Sequence, residues 1–175
     1  MKKLIFYLTL IANLIVANGI QERTESIIKS EFGENIKITY SKFQIEENVK
    51  YQIELASKQR FFSETIFVWS ITSNDTLQAL GLMDNVYGKA QPITFLTIFT
   101  LDGKIHSNHI IKYREEHGGQ VANEDWNKQF VGMDNNSDIN SNVDGISGAT
   151  ISVNAVKKGV QKLLLLIENI QMTKK

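Results

Sequence analysis

"DGISGATISVNAVKKGVQKLL" spans Asp144 to Leu164. Within it and just beyond, Val153, Val156, Val160, Leu163, Leu164 and Ile167 recur at steps of three and four. That spacing predicts an amphipathic helix that opens near Thr150 and packs along one face. Ser147, Gly148, Ala149 and Thr150 stand at its mouth, with Asp144 close by. A single hydroxyl, from Thr150 or Ser147, is enough to cap a helix. Here Ser147, Thr150 and Ser152 cluster around Gly148 and Ala149, which carry almost no side chain and let a ligand approach the backbone. A helix mouth also attracts phosphate through its free N–H groups and its dipole. An ordinary cap and a phosphate site therefore stand side by side as readings of this stretch.

Upstream, "MDNNSDINSNV" (Met133 to Val143) reads as a polar loop. "NEDWNKQFVG" (Asn123 to Gly132) predicts a short helix in which Trp126 and Phe130, four apart, share a face. "YREEHGGQV" is a loop with two adjacent glycines, Gly118 and Gly119. Before it, "ITFLTIFT" (Ile93 to Thr100) and "IHSNHIIKY" (Ile105 to Tyr113) flank an Asp-Gly turn, which predicts a hairpin. "ETIFVWSIT" (Glu64 to Thr72) is β-branched and aromatic and runs into a turn-like "SNDT". "EENVKYQIELASKQR" has strand-like alternation at Val49, Tyr51, Ile53 and Leu55, yet Val49, Ile53 and Ala56 fit a helical face. Its Glu, Gln and Lys content favours the helix. Ile36, Ile38 and Tyr40 alternate as a strand, and "QERTESIIKSEF" (Gln21 to Phe32) is a helix stopped by Gly33. The expected class is α+β: a central antiparallel sheet with flanking helices and a long C-terminal helix.

The 175 residues, without repeats or low-complexity linkers, argue for one domain, over residues 20–175. Lys plus Arg and Asp plus Glu are 19 each, so net charge gives no reason to expect nucleic acid. The absence of cysteine excludes disulfides, thiolate metal sites and cysteine nucleophiles. Lys2 and Lys3 precede the apolar run "LIFYLTLIANLIVA" (Leu4 to Ala17). The run has the length of a signal-peptide core and falls short of the ~18 residues of a membrane span. Residues 1–19 are thus expected to be a signal peptide or N-terminal anchor, and the protein to be exported, periplasmic or membrane-associated.

Other candidate sites fail on geometry. His106 and His109, three apart on a strand, point to opposite faces and cannot share a metal. "DINSNVDG" has oxygen side chains at alternate positions, but Val143 and Ala149 stand where a calcium loop needs Gly and Glu. No nucleophile elbow, P-loop or zinc-protease motif occurs. Adjacent Glu115 and Glu116 read as loop residues. No catalytic residue and no metal ligand is assigned.

"DGISGAT" followed by "IS" resembles the D-x-x-[ST]-G-A-[ST]-x-[ST] signature of the FMN-binding domain family, found in flavin-carrying subunits of sodium-pumping NADH:quinone reductases and Rnf complexes and in exported bacterial proteins. "GKAQPITFLTIFTLDGKI", "YREEHGGQV" and "WNKQFVG" are similar to stretches of its stand-alone members, so the resemblance covers most of Gly81 to Ile170. It implies FMN held by a phosphoester to Thr150, attached from FAD by a separate FMN transferase. Ser147, Gly148 and Ala149 would then contact the phosphate. Asp144, an odd neighbour for a phosphate, would serve transferase recognition or fix the turn. The flavin ring would lie against Gly118 and Gly119, with Glu115 and Arg114 near its polar edge. The respiratory subunits carry an E-T-P-G-type loop where Glu115 to Gly118 stand, so their detailed flavin contacts do not transfer. The implied function is electron relay between a reductase and an extracytoplasmic acceptor, with redox partner proteins at the membrane, rather than stand-alone enzyme activity. A flavin-dependent reductase of a small substrate and a non-redox binding module are the alternatives.

Overall fold

The structure, a computed structural model, describes residues 19–172. The expected signal peptide or anchor lies outside these residues apart from Gly19. The described chain divides after Ile36 into two compact units. In the first, helix α1 covers 19–32. Thr24 donates its hydroxyl to the Ile20 carbonyl at 2.8 Å, and Gln21 bonds Glu25 at 2.9 Å. Gly33 ends the helix at φ +87° and donates its N–H to Lys29, the left-handed stop that glycine makes without strain.

The second unit is built on five strands: β1 (Lys37–Gln44), β2 (Thr65–Ser73), β3 (Thr76–Tyr87), β4 (Pro92–Thr100) and β5 (Ile105–Lys112). They pair antiparallel in the order β1-β2-β3-β4-β5, a meander in which every neighbour in space is a neighbour in sequence. Helix α2 (Glu47–Ser57) joins β1 to β2, which settles the ambiguous segment as a helix. After β5 come a 3-10 turn (Gly119–Ala122), α3 (Glu124–Asn127), a second 3-10 turn (Lys128–Phe130), α4 (Ile139–Asn142) and the long α5 (Thr150–Met172). The fold is α+β, as the sequence predicts.

Two features escape the sequence patterns. β3 is the longest strand, yet "TLQALGLMDNVY" shows no alternation. It returns from β2 through Asn74 and Asp75, both at positive φ (49° and 57°), the conformation of a tight hairpin turn. The polar run Met133–Val143 is not loop throughout. Asp138 caps α4 by accepting from the N–H groups of Asn140 and Ser141, which lets Ile139 and Val143 reach the core. The oxygen-bearing side chain of Asp138 therefore serves a helix start.

α5 lies across β3 and β4 and also packs on α2. Its stripe of Val153, Val156, Val160, Leu163, Leu164 and Ile167 is buried throughout, against Leu80, Leu82, Val86, Ile93, Phe95 and Phe99 of the sheet. Gly159 marks the closest approach. A Cβ there would lie 2.7 Å from Val86 Cγ1 and 2.8 Å from Phe95 Cζ, and both residues are fully buried. On an exposed helix Gly→Ala would add about 1 kcal/mol. Here overpacking of about 1–3 kcal/mol outweighs it. We expect Gly159→Ala to lower stability in urea denaturation, and a stabilised variant would contradict this packing.

Candidate functional site

The mouth of α5 is assembled residue by residue from "ISGAT". Ile146 to Ala149 form a turn closed by the Ala149 N–H on the Ile146 carbonyl at 3.1 Å. Gly148 occupies its third position at φ +80°, the value a type II turn demands there. Ala149 follows as an anchor, 3 % exposed and part of the core. Ser147 and Thr150 on either side face solvent. Glycine thus makes the turn, alanine fixes it to the core, and the two hydroxyls are presented outward.

The helix starts without a cap. Its first backbone bond runs from the Val153 N–H to the Ala149 carbonyl at 2.9 Å, which leaves Ala149 at the capping position with no oxygen to offer. Among the described residues, neither the Ser147 nor the Thr150 hydroxyl makes a hydrogen bond, and no side chain accepts from the N–H groups of Thr150 and Ile151. The ordinary-cap reading of this stretch is thereby overturned. Gly145 and Gly148 both face open space, with no heavy atom within 4 Å of where a Cβ would sit. Free N–H donors, open backbone and an accessible hydroxyl at the positive end of a 23-residue helix fit a phosphate group.

The chain before the turn is held by its backbone. The Asp144 N–H donates to Gln129 Oε1 at 2.8 Å, and its carbonyl accepts from Trp126 Nε1 at 2.9 Å. Trp126 meets Phe130 edge to face at 5.3 Å, the shared face predicted for this segment. Buried Lys157 donates to the carbonyls of Val143 and Asn140 and ties the end of α4 to α5. Asp144 itself is exposed, so contacts to its backbone, not its carboxylate, fix the strand of chain entering the turn.

The structure brings the double-glycine loop to this mouth through the first turn of α5. Tyr113 Oη and Ser152 Oγ are 2.9 Å apart, and the 3-10 turn at Gly119–Ala122 packs on α5. A buried polar chain fixes that turn to the sheet. Thr97 donates to Asn108 at 2.8 Å, Asn108 to Asn127 at 2.7 Å, and Asn127 to the carbonyls of Val121 and Asn123. Gly118 is buried, whereas Gly119 is exposed.

Arg114 and Glu115 are engaged elsewhere. Arg114 Nη1 donates to the Pro92 carbonyl at 2.8 Å and to Thr94 Oγ1 at 2.9 Å, and burial draws its pKa down. Glu115 Oε1 accepts from the N–H groups of Ala90 and Gln91 at 2.7 and 2.9 Å. Both side chains thus organise the connection from β3 to β4. The bonds from Gln91 and Ala90 hold the Glu115 carboxylate below its ordinary pKa of 4.5. A depressed folded pKa adds stability that is present above 4.5 and lost as pH falls through the folded value. The stability difference between wild type and Glu115→Gln should therefore shrink on acidification below 4.5. A constant difference in urea midpoints across that window would refute the assignment.

Tyr113 lies in "YREEHGGQV" and Asn127 and Gln129 in "WNKQFVG", but neither stretch names their partners, and Lys157 has no motif that singles it out. Their partners lie on other elements, and only the bulk of Trp126 and Phe130 signalled a packed support. Among the described residues, no three His, Asp or Glu side chains converge as a metal site, and no helix is long and apolar enough to cross a membrane.

Residues 88–165 match the model of the FMN-binding domain family, a span that starts where β3 ends and includes the whole α5 mouth. Over this span the chain is similar to the FMN-binding domain family. It is a flavin-binding protein, and its cofactor is FMN. No curated protein matches the chain in sequence.

Proposed function

We propose that this protein is an exported flavoprotein that carries FMN esterified to Thr150 and relays electrons between a reductase and an extracytoplasmic acceptor. The observation that carries the reading is the uncapped mouth of α5. Thr150 is exposed there beside free N–H groups, and Gly145 and Gly148 leave the approach open. Attachment requires an FMN transferase with FAD as donor. Thr150 Oγ1 would form the ester bond to the FMN phosphorus as the phosphoanhydride bond of FAD breaks, with AMP as the leaving group and the hydroxyl proton released to solvent. The helix N–H groups would hold the phosphate, and the buried Ala149 keeps the hydroxyl at a fixed place. FMN supplies the redox chemistry, while the protein sets its access and potential. An ester keeps the cofactor where a free one would diffuse away. Lys2, Lys3 and the apolar run to Ala17 support export.

The test is flavin fluorescence in a denaturing gel after co-expression with an FMN transferase. Wild type and Ser147→Ala should give a fluorescent band, and Thr150→Val should give none. A dark wild-type band, with folded protein and an active transferase, would end the covalent reading. Recovery of the chain in the cytoplasm with residues 1–19 retained would end the export reading.

A further inference from the structure

Tyr113 directly follows β5, and Ser152 lies in the first turn of α5. Their hydroxyl oxygens meet at 2.9 Å across 39 residues of sequence. Tyr113 also donates to the His117 carbonyl. A phenol has one proton, so Ser152 must be the donor in the bond between the two hydroxyls. The chain of donors runs from Ser152 to Tyr113 to the His117 carbonyl. Gly118 sits in the angle of this chain at φ +88°, and a Cβ there would lie 2.8 Å from both Ser152 Oγ and Tyr113 Oη. Only glycine satisfies both the backbone angle and the close approach. Two hydroxyls of one helical turn therefore do different work. Thr150 is exposed, whereas Ser152 is 4 % exposed and bonded to the loop.

We propose that Ser152 and Tyr113 are positioning residues that latch the Gly118–Gly119 loop onto the first turn of α5 and so set the orientation of the flavin. The proposal rests on Thr150 as the attachment point. It explains why a serine stands two residues after the attachment threonine when its side chain does not face the open mouth. Gly118 serves the latch, which leaves exposed Gly119 as the part of the loop open to the ring.

The experiment uses the full chain co-expressed with the transferase, as wild type, Ser152→Ala, Tyr113→Phe and the double variant. Three quantities are read: the gel band, the amide exchange of His117 to Gln120, and the ratio of native to denatured flavin fluorescence. The band should persist in every variant, because Thr150 is intact. Exchange should rise roughly ten-fold in Tyr113→Phe, the factor that ~1.4 kcal/mol sets when the two bonds of the Tyr113 hydroxyl are lost together. The double variant should add nothing to Tyr113→Phe, since both changes break one chain. The fluorescence ratio should move toward one in the same variants. Unchanged exchange overturns the latch. Faster exchange with an unchanged ratio overturns the positioning role and leaves only loop packing. If the wild-type band is absent, the covalent reading fails by itself. FMN titrated into the purified proteins then replaces the conjugate, and equal quenching in wild type and Tyr113→Phe overturns the proposal.

Discussion

Asp84→Ala should lower the unfolding free energy by about 3–5 kcal/mol, the cost of stranding a buried charge. Lys162 is fully buried, and its Nζ lies 2.6 Å from Asp84 Oδ2. It also donates to the Arg60 carbonyl at 2.8 Å and lies 4.4 Å from the centre of the Phe61 ring. Burial pushes the Asp84 pKa up and the Lys162 pKa down, while each partner's charge opposes the shift of the other. Removing one partner removes that opposition and leaves the desolvation. Replacing both, as Asp84→Leu with Lys162→Met, should recover most of the loss, because a buried pair gains little over well-packed apolar side chains. Urea denaturation of the two singles and the double decides the matter. A loss below about 1 kcal/mol in Asp84→Ala would mean that the pair is solvated rather than buried. The pair joins β3, α5 and the segment after α2 at a single point.

The second large effect belongs to the support beneath the helix mouth. Trp126→Ala should cost about 3–5 kcal/mol, the usual range for deleting a large buried ring. Trp126→Phe keeps most of the packing against Phe130 and removes the bond to the Asp144 carbonyl, at a cost of about 1 kcal/mol. The milder variant isolates the functional consequence. With Asp144 held only through Gln129, the chain entering the Ser147–Thr150 turn loosens. Transferase-dependent labelling should slow in Trp126→Phe while the fold survives. Equal labelling rates in the two proteins would separate Trp126 from the presentation of Thr150.

How much of this was legible in the sequence depends on whether a residue's partner is local. The α5 stripe is self-contained, since side chains three and four apart reinforce one another on one helix face. The β4–β5 hairpin likewise announces itself in Asp102 and Gly103, and Gly103 takes φ +83°. β3 was invisible because its identity rests on distant neighbours. Gly81 lies where a Cβ would press to 3.3 Å from Leu96 and 3.4 Å from Trp69, and Asp84 is tolerated only because Lys162 arrives much later in the chain. Seen alone, a glycine and an acid argue against a central strand. The site divides in the same way. Ser147 to Thr150 form a local turn whose chemistry reads directly from residue type. Arg114 and Glu115 look like free polar groups beside a glycine loop until Pro92, Thr94, Ala90 and Gln91 claim them.

The meander has a consequence for the order in which the molecule is made. Each strand can pair with the one synthesised just before it, so the sheet grows through local contacts of the kind that form quickly. Its inner face has no such local partner. Leu80, Leu82, Phe95 and Phe99 wait for α5, which follows all five strands. Until that helix arrives, an apolar surface lies open to chaperones or to other nascent chains. The same helix carries Thr150 at its first residue. Closing the core and presenting the hydroxyl are therefore one event, and a transferase that waits for the finished turn would label only chains whose folding is complete.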